Sequence, residues 1–502
     1  MKKHLALLFA LVCLGGALSC AAAVTVNNFE EGEVLSYCVP LLRGQCAAGT
    51  LECKSLNETT GEEVPGAARS GRYKVLTHLV EGENSILVTV GSETTRIHLT
   101  YRPADTEYLT YVYMLVDKNA DTHYVSNLPA DEDPQFTDPD LWKKKLNTSV
   151  LINQSYTADS AYRLGYGHRT FNLAMDGNNV HIQLVTSAYE RAELIRRCTV
   201  DGEVDGGLIY DHFVDCLGSD RGGGKRKVIG IANTDMLIDG KVVGSAALGG
   251  GLLGMFGSTG LYCWPDSLQN VVEAFSDTYP TKPSMDDSEG RKVSFGQAAT
   301  TLGAWLHEAG HGFGLPHIEG NTYYGVMARA YAVMNRNYTV VEPPNANRST
   351  PYYFNANEES SWSINEMHRL LTSPFFREQK GELPPNDIKL KMINSRQLRI
   401  SSENGIAWYG YWPNWQDWIL TDWCFPQNLD GSVKEIILNV EDIINTCGKS
   451  KTSYADVNVF DIYGNERSIT VRPVEDLAKE KFCGFEADEG YHLGDGKEVE
   501  KG

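Results

Sequence analysis

The sequence has no CxxC pair, no GxSxG elbow, no internal repeat and, beyond residue 23, no apolar run long enough to cross a bilayer. The first absence removes a thiolate zinc site and a thioredoxin-like motif, and the second argues against a serine-nucleophile hydrolase. The last leaves no spanning helix in the mature chain. Positive charge is also scarce: 45 Lys and Arg face 65 Asp and Glu, a formal net charge of -20. Nucleic acid and anionic membrane surfaces repel such a chain unless a local basic patch intervenes, so no nucleic-acid partner is expected. The best basic patch, Lys143-Lys144-Lys145, reads as a solvated helix face. Gly222-Gly223-Gly224-Lys225 lacks the Ser or Thr, and the helix pattern, that a phosphate loop needs. Neither 48 Gly nor 19 Pro makes the chain low-complexity, and 42% hydrophobic residues suffice to bury cores.

What is present begins with a leader. Met1-Lys2-Lys3-His4, an apolar run from Leu5 to Leu18 and small residues ending in Ala21-Ala22-Ala23 describe a signal peptide over 1–23. The protein is therefore expected to be secreted, or periplasmic or on the cell surface if bacterial. Ala17-Leu18-Ser19-Cys20 is a poor relative of a lipoprotein box, which leaves a lipid anchor at Cys20 as the minor alternative. Beyond the leader lie Cys38, Cys46, Cys53, Cys198, Cys216, Cys263, Cys424, Cys447 and Cys483, three by three along the chain. In an exported protein disulfides are the default, so one bridge per domain is expected, with Cys198 and Cys216 the first pair to test. The odd number leaves one thiol over.

A chain of 502 residues is too long for one core. Residues 24–103 alternate short apolar runs with turns, as in Ser85-Ile86-Leu87-Val88-Thr89-Val90, and read as an Ig-like β-sandwich. Residues 104–380 alternate strands and helices, with strands expected at Leu109–Val116, His181–Val185 and Val228–Ala232 and a helix opening at Asp138-Pro139. The Gly-rich stretch Ser245–Tyr262 suits an edge strand or cleft wall. Residues 381–490 return to β character as a second sandwich, and 491–502 form a polar tail. The fold class is thus multidomain α+β.

The chemistry concentrates after Ser294-Phe295-Gly296-Gln297, which has the form of a capping box. Leu302, Leu306 and Ala309 give the ensuing helix an apolar face, and Gly312 and Gly314 should end it. His307 and His311, four apart, project from one helical face and can aim two imidazoles at one cation. Glu308 sits beside them, placed to take a proton from a bound water. After the helix stops, Leu315-Pro316 bring round His317 as a third nitrogen, leaving a fourth position open for water, as in a catalytic zinc site. HExxH arises by chance in roughly one chain in fifty of this kind, and adding Gly314 and His317 lowers that to about one in ten thousand.

His307-Glu308-x-x-His311-x-x-Gly314-x-x-His317 followed by Gly325-Val326-Met327 resembles the metzincins, whose signature adds a methionine-bearing turn under the zinc; Met334 is the weaker candidate for that turn. A closer resemblance is to a little-characterised family of zinc metallopeptidases found mainly in fungi and other eukaryotes. It rests on Gly325-Val326-Met327-Ala328-Arg329-Ala330-Tyr331 with Asn335-Arg336, and on Ser155-Tyr156-Thr157-Ala158-Asp159 with Arg169-Thr170-Phe171, and covers about 106–380. The resemblance implies a metzincin-like catalytic domain, a mixed sheet with an active-site helix, and one catalytic zinc on His307, His311 and His317. It also implies Glu308 as general base and a protein or peptide substrate, with a glycoprotein among the options. Where some metzincins carry a catalytic tyrosine two residues past the methionine, this chain has Arg329, and Tyr331 comes two later.

Two other readings stay open on sequence. Glu366 of Asn365-Glu366-Met367-His368 could replace His317 as third ligand. Alternatively, the aromatic cluster Trp408, Tyr409, Tyr411, Trp412, Trp415, Trp418 and Trp423 could mark a glycan-binding or adhesion protein with a vestigial metal site, although such rings in a β domain also serve as core. Five sequons, at Asn57, Asn147, Asn153, Asn337 and Asn347, matter only in a eukaryotic secretory pathway.

Overall fold

A computed structural model describes residues 24–472, apart from 319–322, 415–418, 421–423 and 449, and gives only the backbone of 419, 420 and 424. The expected leader with Cys20, the tail, Cys483 and Trp415, Trp418 and Trp423 lie outside the described residues.

At the centre is a five-stranded sheet. Its elements in chain order are β1 (Leu109–Val116), α1 (Leu141–Arg163), β2 (Ile182–Thr186), α2 (Gly206–Leu217), β3 (Arg226–Ala232), β4 (Leu248–Gly249), β5 (Leu253–Gly257) and α3 (Ser294–Gly312). The strands lie in the order β2-β1-β3-β5-β4, all parallel except the edge strand β4, which runs antiparallel to β5. The apolar run of β1 follows from its place between two parallel neighbours, where both faces are buried. Val112, Met114 and Val116 enter a core with Leu146 and Val150 of α1 and Leu302 and Leu306 of α3. Tyr113 and Leu115 point the other way, against Ile209 and Phe213 of α2. Period-two alternation thus assigns one helix layer to each face.

Before this sheet, residues 24–101 form a four-stranded sheet and a five-stranded sheet. Their apolar residues, from Val24 to Tyr101, belong to the same continuous core as α1 and α3. Ions join them as well: Glu359, its side chain 1% exposed, pairs with Arg43, Arg72 and Lys74, and Arg43 also reaches Asp159 of α1 at 2.6 Å. The residues after 388 have a separate core, built on Ile388, Leu398, Val440 and Val457, under a three-stranded and a four-stranded sheet. Links from there return to the centre: His317–Ile318 pairs in parallel with Ile419–Leu420, Nε2 of His368 faces the Ala407 carbonyl at 2.8 Å, and Arg377 donates to the Ile462 carbonyl.

Several expectations are corrected. Cys38, Cys46, Cys53, Cys198, Cys216 and Cys263 are free thiols, so Cys198–Cys216 is no bridge. Cys198 closes the helix Arg191–Arg197, while the Cys216 sulfur faces Nε2 of His212 at 3.5 Å, one turn back on α2. Lys145 is not solvated: its ammonium is buried and donates to the carbonyls of Trp264 (2.6 Å) and Tyr262 (3.3 Å). The helix expected from Asp138-Pro139 opens at Leu141, with Asp140 at the N-cap and no side-chain cap bond. Asn57, Asn153 and Asn337 are fully buried, so these three sequons are closed to a glycan in the folded chain. Trp408 and Tyr411 are core residues, and Tyr409 stacks on Phe425, which accounts for that part of the aromatic cluster as packing. Among the described residues no helix is long and apolar enough to span a membrane.

Candidate metal centre

The helix α3 is buried along almost its whole length, and glycine allows it. A Cβ on Gly254 of β5 would stand 2.5 Å from the backbone of Glu308 and Ala309, and one on Gly249 of β4 would strike Glu308 and His311. The Gly-rich stretch is therefore the floor on which the helix rests. We expect Gly254→Ala to cost about 1 to 3 kcal/mol, since the neighbour is backbone and cannot turn aside. Thermal unfolding measures that loss, and zinc titration should show weaker uptake with it.

The capping box does not form: Val293 is the N-cap, and the Gln297 side-chain oxygen Oε1 instead accepts the Asp287 amide. At the other end, Gly314 (φ +87°) turns the chain, with its amide donating to the His311 carbonyl and the Leu315 amide to the Gly310 carbonyl. That pair of bonds is a Schellman closure, and it sends the chain back so that His317 meets the helix.

The three imidazoles converge. Nε2 of His317 lies 3.1 Å from Nε2 of His307 and 3.2 Å from Nε2 of His311. Nitrogens bound tetrahedrally at zinc distances stand about 3.3 Å apart, so the set fits one ion nearly as it is. Nδ1 of His307 faces the Val326 carbonyl at 2.8 Å and Nδ1 of His311 faces that of Leu315 at 2.7 Å. A ring nitrogen facing a carbonyl must carry the proton, which leaves each Nε2 lone pair pointing inward. Burial lowers His307 to about 3 and His317 to about 4 and also lowers His311, keeping all three neutral as ligands must be. Burial pushes Glu308 the other way, to about 8, and a dication beside it would oppose that shift. Among the described residues Glu308 accepts no hydrogen bond, so its carboxylate remains available for a proton.

Glu366 is not with them. It lies on α4 (Ile364–Thr372), where it completes a capping box with Ser363, and its Oε1 accepts the Met327 amide at 2.6 Å. The third-ligand alternative is thereby corrected, because both carboxylate oxygens are already committed to backbone amides. Sequence reasoning missed this role, although the Ser-x-x-Glu spacing at Ser363 was its signal. Glu366 holds the turn Gly325-Val326-Met327 whose Val326 carbonyl orients His307. Glu366→Gln sets an amide N–H against that turn, and about tenfold weaker zinc retention is expected, read by competition with a chelator. Met327 is 1% exposed and its sulfur fills the space beside Gly310, the residue before His311. Met334 is also buried, at the joint between the short helices Ala330–Val333 and Asn335–Tyr338. Tyr331 packs edge-on to His307 with centroids 5.3 Å apart, and its hydroxyl accepts from Arg329 at 2.7 Å.

An HExxH helix closed by a third histidine is the donor set of a metallopeptidase. The chain belongs to the family described as "Putative peptidase family", which matches residues 23–407. Two fungal proteins are similar to it, each named "Putative zinc metalloproteinase". That of Saccharomyces cerevisiae is 28% identical over 347 residues, covering 61% of this chain and 47% of the relative. That of Schizosaccharomyces pombe is 27% identical over 415 residues, covering 76% and 65%. The chain thus spans about half to two thirds of the length of the curated relatives it matches. Among solved structures, wild-type OgpA from Akkermansia muciniphila covers 77% of this chain and 94% of its own at 12% identity, with a TM-score of 0.41.

Proposed function

We propose that the protein is a secreted zinc-dependent endopeptidase of the metzincin type, its metal held by His307, His311 and His317 and its general base Glu308. The observation that carries this reading is the convergence of three Nε2 atoms whose partner Nδ1 atoms on His307 and His311 are bonded to backbone carbonyls. Zinc bound there would supply a Lewis acid and a water of lowered pKa. Glu308 takes a proton from the attacking water and delivers it to the leaving amine. Gly325-Val326-Met327 serves as the methionine turn. Secretion rests on the leader-like residues 1–23, and the division at about 103 and 380 on the change of sequence character.

One zinc per chain is expected by elemental analysis, together with peptide cleavage that a chelator stops and zinc restores. His317→Ala should lose both, because two nitrogens hold zinc poorly. A chain that takes up no zinc on reconstitution would overturn the proposal.

A further inference from the structure

A cleft of about 370 Å³ is lined by Arg291, Arg329, Arg336 and Arg348, with Glu289 and Glu342 as its acids. Its lining carries four guanidiniums against two carboxylates, in a chain whose net charge is -20, and Asp286, Asp287 and Glu358 stand close enough to act on Arg291, Arg329 and Arg336 in turn. The inner pair is fixed. Arg336 binds Glu342 in bidentate fashion at 2.9 and 3.0 Å, and Arg291, 3.9 Å from the same carboxylate, is otherwise held by carbonyls and a hydroxyl. One buried carboxylate thus answers two buried arginines. The outer pair faces solvent. Arg329 reaches Glu289, and the Arg348 guanidinium carbon sits over the Tyr352 ring, 3.6 Å from its centroid, with no carboxylate paired to it among the described residues. A guanidinium stacked this way keeps its in-plane N–H groups for an incoming anion.

The cleft also stands in the right place. Arg329 lines it and donates to the Tyr331 hydroxyl, and the Tyr331 ring packs on His307. A chain lying across the histidines would pass Tyr331 and the Arg329 guanidinium bonded to it.

We propose that this cleft is a specificity subsite that receives an anionic side chain of the substrate, a carboxylate or a phosphate ester, through Arg348 and Arg329. The proposal rests on the peptidase reading. Its test is a set of peptides carrying Glu, phosphoserine or Gln at each of three positions on either side of the scissile bond. At one position the zinc-loaded protein should cleave the Glu or phosphoserine peptide about tenfold better than the Gln peptide in kcat/KM, chiefly through KM. Which of the two acids leads tells carboxylate from phosphate. Arg348→Gln and Arg329→Gln should each bring the ratio toward one, while Arg221→Gln, on a distant surface pair with Asp215, should keep it. Equal cleavage of all three peptides, or an unchanged ratio in both cleft variants, overturns the subsite and leaves the peptidase standing. Binding of the same peptides, fluorescently tagged, to the Glu308→Gln protein reads the cleft without turnover. Anion-selective binding with no cleavage by the wild type keeps the cleft and removes the peptidase, and binding that ignores the anion removes the cleft.

Discussion

Glu308→Gln should give a folded, zinc-loaded protein whose peptide cleavage is slower by at least about a hundredfold, since general-base catalysis contributes typically 10² to 10⁴. The side chain keeps its size, and the wild-type carboxylate accepts no hydrogen bond among the described residues, so little else is lost. The histidines are untouched, so elemental analysis should still find one zinc. The combination matters because it separates the base from the ligands: His307→Ala should lose metal and activity together. Wild-type turnover by the Glu308→Gln protein, measured on peptides that the parent cleaves, would refute the mechanism.

Glu359→Ala should be the most destabilising single change at the junction of the N-terminal sheets with the central one. Burial alone would raise the Glu359 carboxyl, yet Arg43, Lys74 and Arg163 outweigh it and hold it down to about 2. Removing the carboxylate leaves Arg43 with Asp159 alone and Lys74 with only the carbonyls of Arg336 and Thr339, and breaking a buried ion cluster in this way costs about 3 to 5 kcal/mol. The first thermal transition should fall by something on the order of 10 °C. An unchanged transition would mean that the cations relax into water at no cost. The sign in acid follows from the lowered carboxyl. The stabilisation is complete above the ordinary carboxylate range and disappears as pH falls through about 2.

The convergence of the three histidines was legible in sequence because its parts are local. His307, His311, Gly314 and His317 span one helix end and one turn, and helical geometry dictates their relation. β1 was legible to the residue because a strand buried on both faces is a continuous apolar run with sharp ends. What could not be read was non-local. Ser294 and Gln297 match a capping box in spacing, but the Asp287 amide competes for Gln297, and no spacing rule registers a competitor from another loop. Glu366 looked like a ligand because it is a carboxylate on a downstream helix, and only the fold shows its oxygens spent on backbone amides. The cysteines were read through the expected compartment rather than through distance, and a bridge also needs its two sulfurs within reach of each other. The arginines of the cleft are scattered from 291 to 348 and make no motif.

The short parallel pairing of His317–Ile318 with Ile419–Leu420 ties the last of the three converging histidines to a strand within the C-terminal portion of the chain. Binding free energies so joined are reciprocal. If the three histidines bind a metal, whatever free energy that binding passes through the pairing to the C-terminal portion, a partner of that portion returns to metal affinity in equal measure. The C-terminal portion is then a handle through which affinity for the ion could be raised or lowered from outside the cleft.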